Sequence, residues 1–516
     1  MSNGDLVRTG ITGLDDIFLG GIPRGNVILI EGEAGAGKTL LGIEFIYRGI
    51  VEYDEPGIIV VFENSPRKLL RDVANFNWNL EELQQQNRLR IIFTTPQVLE
   101  QELRSADSLL IETATELGAR RIFIDGIALL RPTIVNGGSP LSNGPSSYRE
   151  LLQQIIEGID REGLTAIFSH ELATRGEPAL TLDVAEFLAD TVISLKRGDY
   201  SQGIYRCLEI LKSRGQDFEA GVHTLRITSG RGLEVFRRVQ CRVQMVGNQP
   251  TSTVQRSVIG STPLDDLTGG GLYNGSVTLV VGASGTGKSV LGYQVLVEGA
   301  RNLGKRSLLV TLDEHPEQIL RNADSLGLNM REQVETEMIH ILHDSPLELE
   351  VNVHFDLIVR TIEEQQIERI VVDGITTYSN AIHDQRVFRE FFHALIAFTK
   401  NRLMTTFISY ENPELFGVTH FMTDSTVTSV VDNVILLSYV ELGNVMHRAI
   451  TVAKARGCNH QYVTREYRID RGGIILSSEE SIEGQNLPFG SYYNLLSRAP
   501  TRFNRSHRSF SSEIDE

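Results

Sequence analysis

Along most of the 516-residue chain, short apolar runs alternate with longer stretches in which apolar positions recur at helical spacing. Runs with few polar interruptions suit strands buried on both faces, and a period near 3.6 between them suits amphipathic helices. The pattern predicts βαβ units: an α/β fold with a mainly parallel sheet flanked by helices. In the first half the expected strands are 27–30, 58–62, 90–93, 121–125, 165–169 and 191–195; in the second they are 276–281, 307–312, 338–342, 369–373, 405–409 and 433–437. Residues 205–211 and 223–227, with counterparts at 449–453 and 464–469, predict extra strands at one sheet edge.

The pattern also repeats. Thr12-Gly13-Leu14-Asp15-Asp16 returns as Thr262-Pro263-Leu264-Asp265-Asp266, and Gly20-Gly21-Ile22 as Gly270-Gly271-Leu272, both 250 positions on. A tandem duplication follows, with domains at 1–247 and 248–485. The join, 247–255, has the Gly, Asn, Pro, Thr and Ser content of a linker. Residues 486–516 form a Ser-, Glu- and Arg-rich tail, expected to be flexible and to act as a partner peptide, a gate or plain disorder.

At the same offset stand Gly32-Glu33-Ala34-Gly35-Ala36-Gly37-Lys38-Thr39 and Gly282-Ala283-Ser284-Gly285-Thr286-Gly287-Lys288-Ser289, each between an expected strand and an expected helix. In such a loop glycines let backbone N–H groups close around phosphate oxygens, the lysine reaches the outer phosphates, and the Thr or Ser hydroxyl ligates Mg²⁺. Candidate nucleotide contacts are therefore Gly35, Ala36, Gly37, Lys38, Thr39 and Leu40, with Gly285, Thr286, Gly287, Lys288, Ser289 and Val290. Asp125 and Asp373, each ending an apolar strand, are placed to organise the metal with Thr39 and Ser289. Glu63, after the strand that follows the first P-loop helix, is a candidate to polarise a water; 250 positions on stand Asp313 and Glu314. Lys212-Ser213-Arg214 and Lys454-Ala455-Arg456 close strands that carry Arg206 and Arg448 near their starts, and recurrence in both halves points to phosphate contact across a subunit boundary.

Composition narrows the classes. A net charge of −17 counts against a nucleic-acid partner. No segment has the apolar length of a membrane span and no export signal opens the chain, so the expected location is cytoplasmic. Cys207, Cys241 and Cys458 lack zinc-site spacing, and Trp78 and Tyr53 read as packing.

With the duplicated P-loops, the opening Thr12-Gly13-Leu14-Asp15, the strand-end carboxylates and the paired Lys-x-Arg-Gly strands, the chain resembles the KaiC family of circadian clock ATPases and autokinases, in the RecA-like superfamily. The resemblance spans nearly the whole chain. It implies two tandem RecA-like P-loop NTPase domains, a homohexamer with ATP between subunits, slow hydrolysis in the N-terminal ring and Ser/Thr autophosphorylation in the C-terminal ring. It also implies ATP and Mg²⁺ as cofactors, with KaiA- or KaiB-like or other signalling proteins meeting the tail or the N-terminal ring. Carried over by position, Thr428 and Ser429 are the phosphoacceptors and Thr423 a nearby assisting hydroxyl. Glu63 is the hydrolytic glutamate, with Asn64 in place of its usual acidic neighbour. Asp313 is the kinase base and a metal ligand, and Glu314 its partner; Leu326 stands where an aromatic residue lies near the nucleotide. Two other classes remain: a RecA-like DNA-dependent ATPase, and a non-catalytic scaffold that uses ATP only to assemble.

Overall fold

In a computed structural model of the chain, the described residues are 6–62, 66–99, 109–130, 148–172, 184–200, 203–239, 255–260, 262–412, 429–442, 445–461, 463–477 and 487–488. They fall into two compact units, one of Met1–Met245 with Glu350–Asp356, the other of Val246–Leu349 with Leu357–Glu516.

The first unit is built on a nine-stranded sheet, ordered Leu89–Phe93, Gly57–Val61, Arg121–Asp125, Thr165–Glu171, Val27–Gly32, Thr191–Tyr200, Gly203–Ser213, Val222–Thr228, Gly232–Phe236. The strands from Leu89–Phe93 through Thr191–Tyr200 run parallel, and the rest fold back antiparallel. Every residue of Val27–Gly32 is buried, which is why its first four positions, Val27 to Ile30, read as an unbroken apolar run rather than an alternation. Helix Lys38–Tyr53 packs on one face through Leu41, Phe45 and Ile46, sharing a core with Leu208, Leu225 and Val235 of the antiparallel strands. Trp78 lies in the same core, stacked on Tyr47 and Phe76.

The second unit repeats the plan along Ile339–His343, Ser307–Thr311, Arg369–Asp373, Thr405–Glu411, Val277–Gly282, Asn433–Leu442, Val445–Ala455, Val463–Asp470 and Gly473–Leu476. A short tenth strand, Leu487–Pro488, pairs with Val463 and Thr464, so residues assigned from sequence to the tail join this sheet. All the expected strands form, including the edge pairs. Several run further than their apolar stretches, because the loop residues that follow stay in register: Glu31 and Gly32 pair with His170 and Glu171.

The repeated Leu-Asp-Asp signature proves structural. Asp15 accepts hydrogen bonds from the Thr9 and Gly10 backbone N–H groups at 2.7 and 3.1 Å and from the Thr9 hydroxyl at 2.8 Å. Asp265 accepts from Ile259 N–H at 2.7 Å. Each carboxylate ties the incoming chain to the first helix, and burial raises the pKa of both.

Candidate nucleotide site

Both phosphate loops sit at the C-terminal ends of the parallel strands, where open α/β sheets bind ligands. Gly35 and Gly37 adopt φ of 75° and 108°, and Gly285 and Gly287 of 78° and 99°. This left-handed backbone is costly for any residue with a Cβ, and it lets successive N–H groups converge on one anion. Ala36 and Thr286, between the glycines, are fully buried, and the Thr286 hydroxyl donates to Ala283 O at 2.8 Å, bracing the second loop. Leu40 and Val290, in the first turns of the helices that follow, pack against their cores.

Lys38 Nζ donates to Gly32 O and Glu33 O, both at 2.8 Å, and Lys288 Nζ to Ala283 O at 3.0 Å. Burial lowers the pKa of both ammonium groups, opposed by Glu171 and Asp125 at the first and by Glu411, Asp373 and Asp313 at the second. Each lysine is thus partly stripped of water inside a ring of carboxylates, the setting in which its charge acts most strongly on a phosphate.

At the first site the Thr39 hydroxyl lies 3.1 and 3.0 Å from the two Asp125 oxygens, and Ser169 donates to Asp125 at 2.5 Å. At the second, Ser409 donates to Asp373 at 2.6 Å, while the Ser289 hydroxyl is bonded to the buried Tyr293 phenol, whose pKa burial raises. Burial likewise raises Asp125. A hydroxyl beside a desolvated carboxylate, next to the phosphate cradle, is an oxygen donor set suited to Mg²⁺, so Thr39 with Asp125 fits that ion. Ser289 and Asp373 occupy the corresponding positions.

Beyond Asp373 the second site gathers further carboxylates. Asp313 accepts from the Thr377 hydroxyl at 2.6 Å, and Glu314 from Asn322 Nδ2 at 3.3 Å. Burial raises both, and the proximity of Asp373 adds to it. Glu63, with Asn64, lies outside the described residues, as do Thr423 and Thr428.

The Lys-x-Arg segments are not brought to the phosphate loop of their own unit. Lys212 Nζ donates to Glu186 O and Ala189 O at 3.2 and 2.6 Å, and Arg214 to Phe187 O at 3.3 Å; the Ser213 hydroxyl pairs with Thr191. Lys454 donates to Val431 O at 2.7 Å, Arg456 to Ser429 O at 3.1 Å, and Ala455 closes its strand opposite Asn433. These contacts lie at the N-terminal edge of the parallel strands, whereas the phosphate loops open at the C-terminal edge. Ser429 is exposed at that same edge. Arg206 and Arg448 lie nearer the loops: Arg206 Nε reaches Gly35 O at 3.4 Å, and Arg448 lies 5.9 Å from the ring of Tyr439, whose hydroxyl stands beside Gly285.

Sequence reasoning missed Ser169, Glu171, Ser409, Glu411 and Tyr293. The first four were detectable, since Ser169-His170-Glu171 and Ser409-Tyr410-Glu411 repeat a Ser-x-Glu pattern at matching strand ends. Tyr293 was not, because Ile43 holds its place in the first half.

Residues 7–240 and 259–481 match the family model described as ATPase: KaiC. The chain is 30% identical over 514 residues to the circadian clock oscillator protein KaiC of Picosynechococcus sp., covering 98% of this chain and 95% of that protein. The proteins of the same name from Synechococcus elongatus and Prochlorococcus marinus are each 31% identical, over 515 and 507 residues, covering 98% and 97% of this chain and 94% and 96% of theirs. No helix among the described residues is long and apolar enough to cross a membrane.

Proposed function

The chain belongs to the KaiC ATPase family, and from that premise we propose that it is a Mg²⁺-dependent ATPase and Ser/Thr autokinase, working as an ATP-bridged homohexamer in circadian or related timing. The observation that carries this reading is the asymmetric duplication of the site: two P-loop lysines, each facing a strand-tip aspartate, with the adjacent pair Asp313 and Glu314 beside the second.

In this reading Lys38 and Lys288 hold the outer phosphates while Thr39 with Asp125, and Ser289 with Asp373, hold the metal. Held there, Mg²⁺ would supply positive charge against the phosphate oxygens, lowering the cost of phosphoryl transfer. Glu63 polarises the attacking water at the first site; at the second, the acidic pair takes the proton of a Ser or Thr hydroxyl. Lys212, Arg214, Lys454 and Arg456 serve a neighbouring subunit's nucleotide, which accords with their place at the sheet edge away from their own loop. Ser429 shares that edge, so it and Thr428 accept phosphate from ATP bound next door. The tail and the N-terminal ring meet KaiA- or KaiB-like or other signalling proteins, and the acidic chain works in the cytoplasm without nucleic acid.

Incubation with γ-labelled ATP tests the reading. Label should remain on the wild-type chain and be absent from a Thr428→Ala/Ser429→Ala variant, while Glu63→Gln should lower phosphate release without abolishing labelling. Label at wild-type level on the double variant would refute the acceptor assignment.

A further inference from the structure

The second unit carries two hydroxyls with no counterpart in the first. Thr376 and Thr377 stand as far behind Asp373 as Ala128 and Leu129 stand behind Asp125. The Thr376 hydroxyl accepts from Glu411 N–H at 2.9 Å, fixing the strand end beside the phosphate loop. The Thr377 hydroxyl donates to Asp313 Oδ1 at 2.6 Å. Thr377 sits in the first turn of helix Ile375–Ala381, its own N–H bonded to Gly374 O at 2.8 Å, and its branched side chain has few rotamers, so the hydroxyl is held in place.

The other carboxylate oxygen is confined as well. A Cβ on Gly374, whose φ is 87°, would fall 2.0 Å from Asp313 Oδ2, so this side chain lies flush against the backbone in a space only glycine leaves open. Among the described residues, the nearest atom to a Cβ at the matching Gly126 would be Leu129 Cδ1, at 3.3 Å. Asp313 faces Asp373, Glu411 and Lys288. Glu314 also lies near Asp373, but it is tied to Asn322, beside Arg321, and neither Glu411 nor Lys288 is among the main charges acting on it. Of the two adjacent carboxylates, Asp313 is the one anchored in the cleft with the phosphate-binding lysine.

Resting on the function proposed above, we infer that Thr377 is a positioning residue for phosphoryl transfer: its hydroxyl holds Asp313 in the second cleft so that Asp313, rather than Glu314, takes the proton from the attacking hydroxyl. The attacking oxygen bonds to the γ-phosphorus as its proton passes to a carboxylate lone pair that Thr377 does not occupy. The bond from the γ-phosphorus to the bridging oxygen breaks, and ADP leaves with that electron pair. An aspartate, one methylene shorter than glutamate, gains more from such a clasp because a small misplacement of a base is costly.

The test uses the full chain with Mg²⁺ and ATP, reading second-site turnover both as label transferred to the chain and as phosphate released in a Glu63→Gln background. Thr377→Leu, which copies the first unit, should lower kcat about ten- to a hundred-fold while KM stays within about two-fold. Thr377→Ser should recover activity to within about three-fold of wild type, and in an Asp313→Asn chain Thr377→Leu should cost less than about two-fold more. The inference is overturned by an indifferent Thr377→Leu, a matching rise in KM, no rescue by serine, a full loss persisting in Asp313→Asn, or a Glu314→Gln loss larger than that of Asp313→Asn. An active wild type with an indifferent Thr377→Leu sinks this inference alone. A wild type that binds ATP but turns over at neither site sinks the functional reading, and this inference with it.

Discussion

The two halves share a scaffold and differ at a few buried positions. In both, an arginine begins the strand whose tip is Asp125 or Asp373, and its guanidinium lies buried against the P-loop helix, where Gly49 or Gly299 leaves it room. In the first unit Arg121 bonds to Glu55 at 2.7 Å and to the carbonyls of Phe45 and Arg8. In the second Arg369 meets the carbonyls of Val295 and Val258, and Lys305 stands where Glu55 did. Burial drives Arg369 down to about 10, the more distant Glu298, Asp265 and Glu368 offsetting only part of it. One duplicated position has thus been neutralised in two ways, by a direct ion pair and by dipoles with remote charge. The duplication preserves a buried arginine behind each P-loop helix and lets the charge that compensates it drift.

The widest separation of the halves comes from removing the lysines one at a time. Lys38→Ala and Lys288→Ala should each lower turnover about 10²–10³-fold at its own site, by loss of a preorganised charge on the transferring phosphoryl group. The part of phosphate release that Glu63→Gln removes, and label transfer with a Glu63→Gln chain, report the first and second sites separately. Equal loss of both signals in each variant would mean that the halves do not act as two centres.

Next in size is the buried arginine. Glu55→Gln leaves Arg121 without its carboxylate and should destabilise the first unit by about 3 kcal/mol, whereas Lys305→Gln, at the matching place, should cost under about 0.5 kcal/mol. The ion pair holds the Glu55 pKa below its ordinary value, burial opposing. Its contribution is therefore present above the unfolded value of about 4.5 and fades as acid protonates the folded carboxylate. Denaturant melts at pH 7 and pH 4 should show the gap between wild type and Glu55→Gln closing at the lower pH.

How far these differences could be read in the sequence depends on whether they leave a mark along the chain. The strands were legible because burial on both faces leaves long apolar runs, as from Val27 to Ile30 and from Leu279 to Val281. The cradle was legible because it is contiguous. The clasp of Thr377 on Asp313 spans 64 positions, and although Asp313 stood out as a strand-end carboxylate, nothing along the chain marks Thr377 as its partner. The Lys-x-Arg strands were legible as a pair of cations, but the end of the sheet they occupy followed only from the register of the antiparallel strands. Contacts set by register leave no periodicity in one strand alone.

The smallest effect tests whether the second half can supply a part to the first. Glu44, fully buried on the P-loop helix, accepts from Leu233 N–H at 2.7 Å; Gln294 occupies the same place in the second unit and accepts from Ile474 N–H at 2.9 Å. Burial pushes the Glu44 carboxyl up to about 7, against the hydrogen bond from Leu233 and the nearby Arg48. Since its folded value exceeds the unfolded one, the folded chain holds the extra proton between about pH 4.5 and 7, and stability falls as pH rises through that window. Glutamine keeps the acceptor oxygen and has no proton to lose. Glu44→Gln should therefore match wild type near pH 4.5 and exceed it above pH 7 by on the order of 1 kcal/mol, the lost attraction to Arg48 taking back part of the gain. Equal melts at pH 8, or a variant less stable there, would show that the Glu44–Arg48 pair outweighs the burial of its charge, and that glutamine suits this place only among the neighbours it has in the second half.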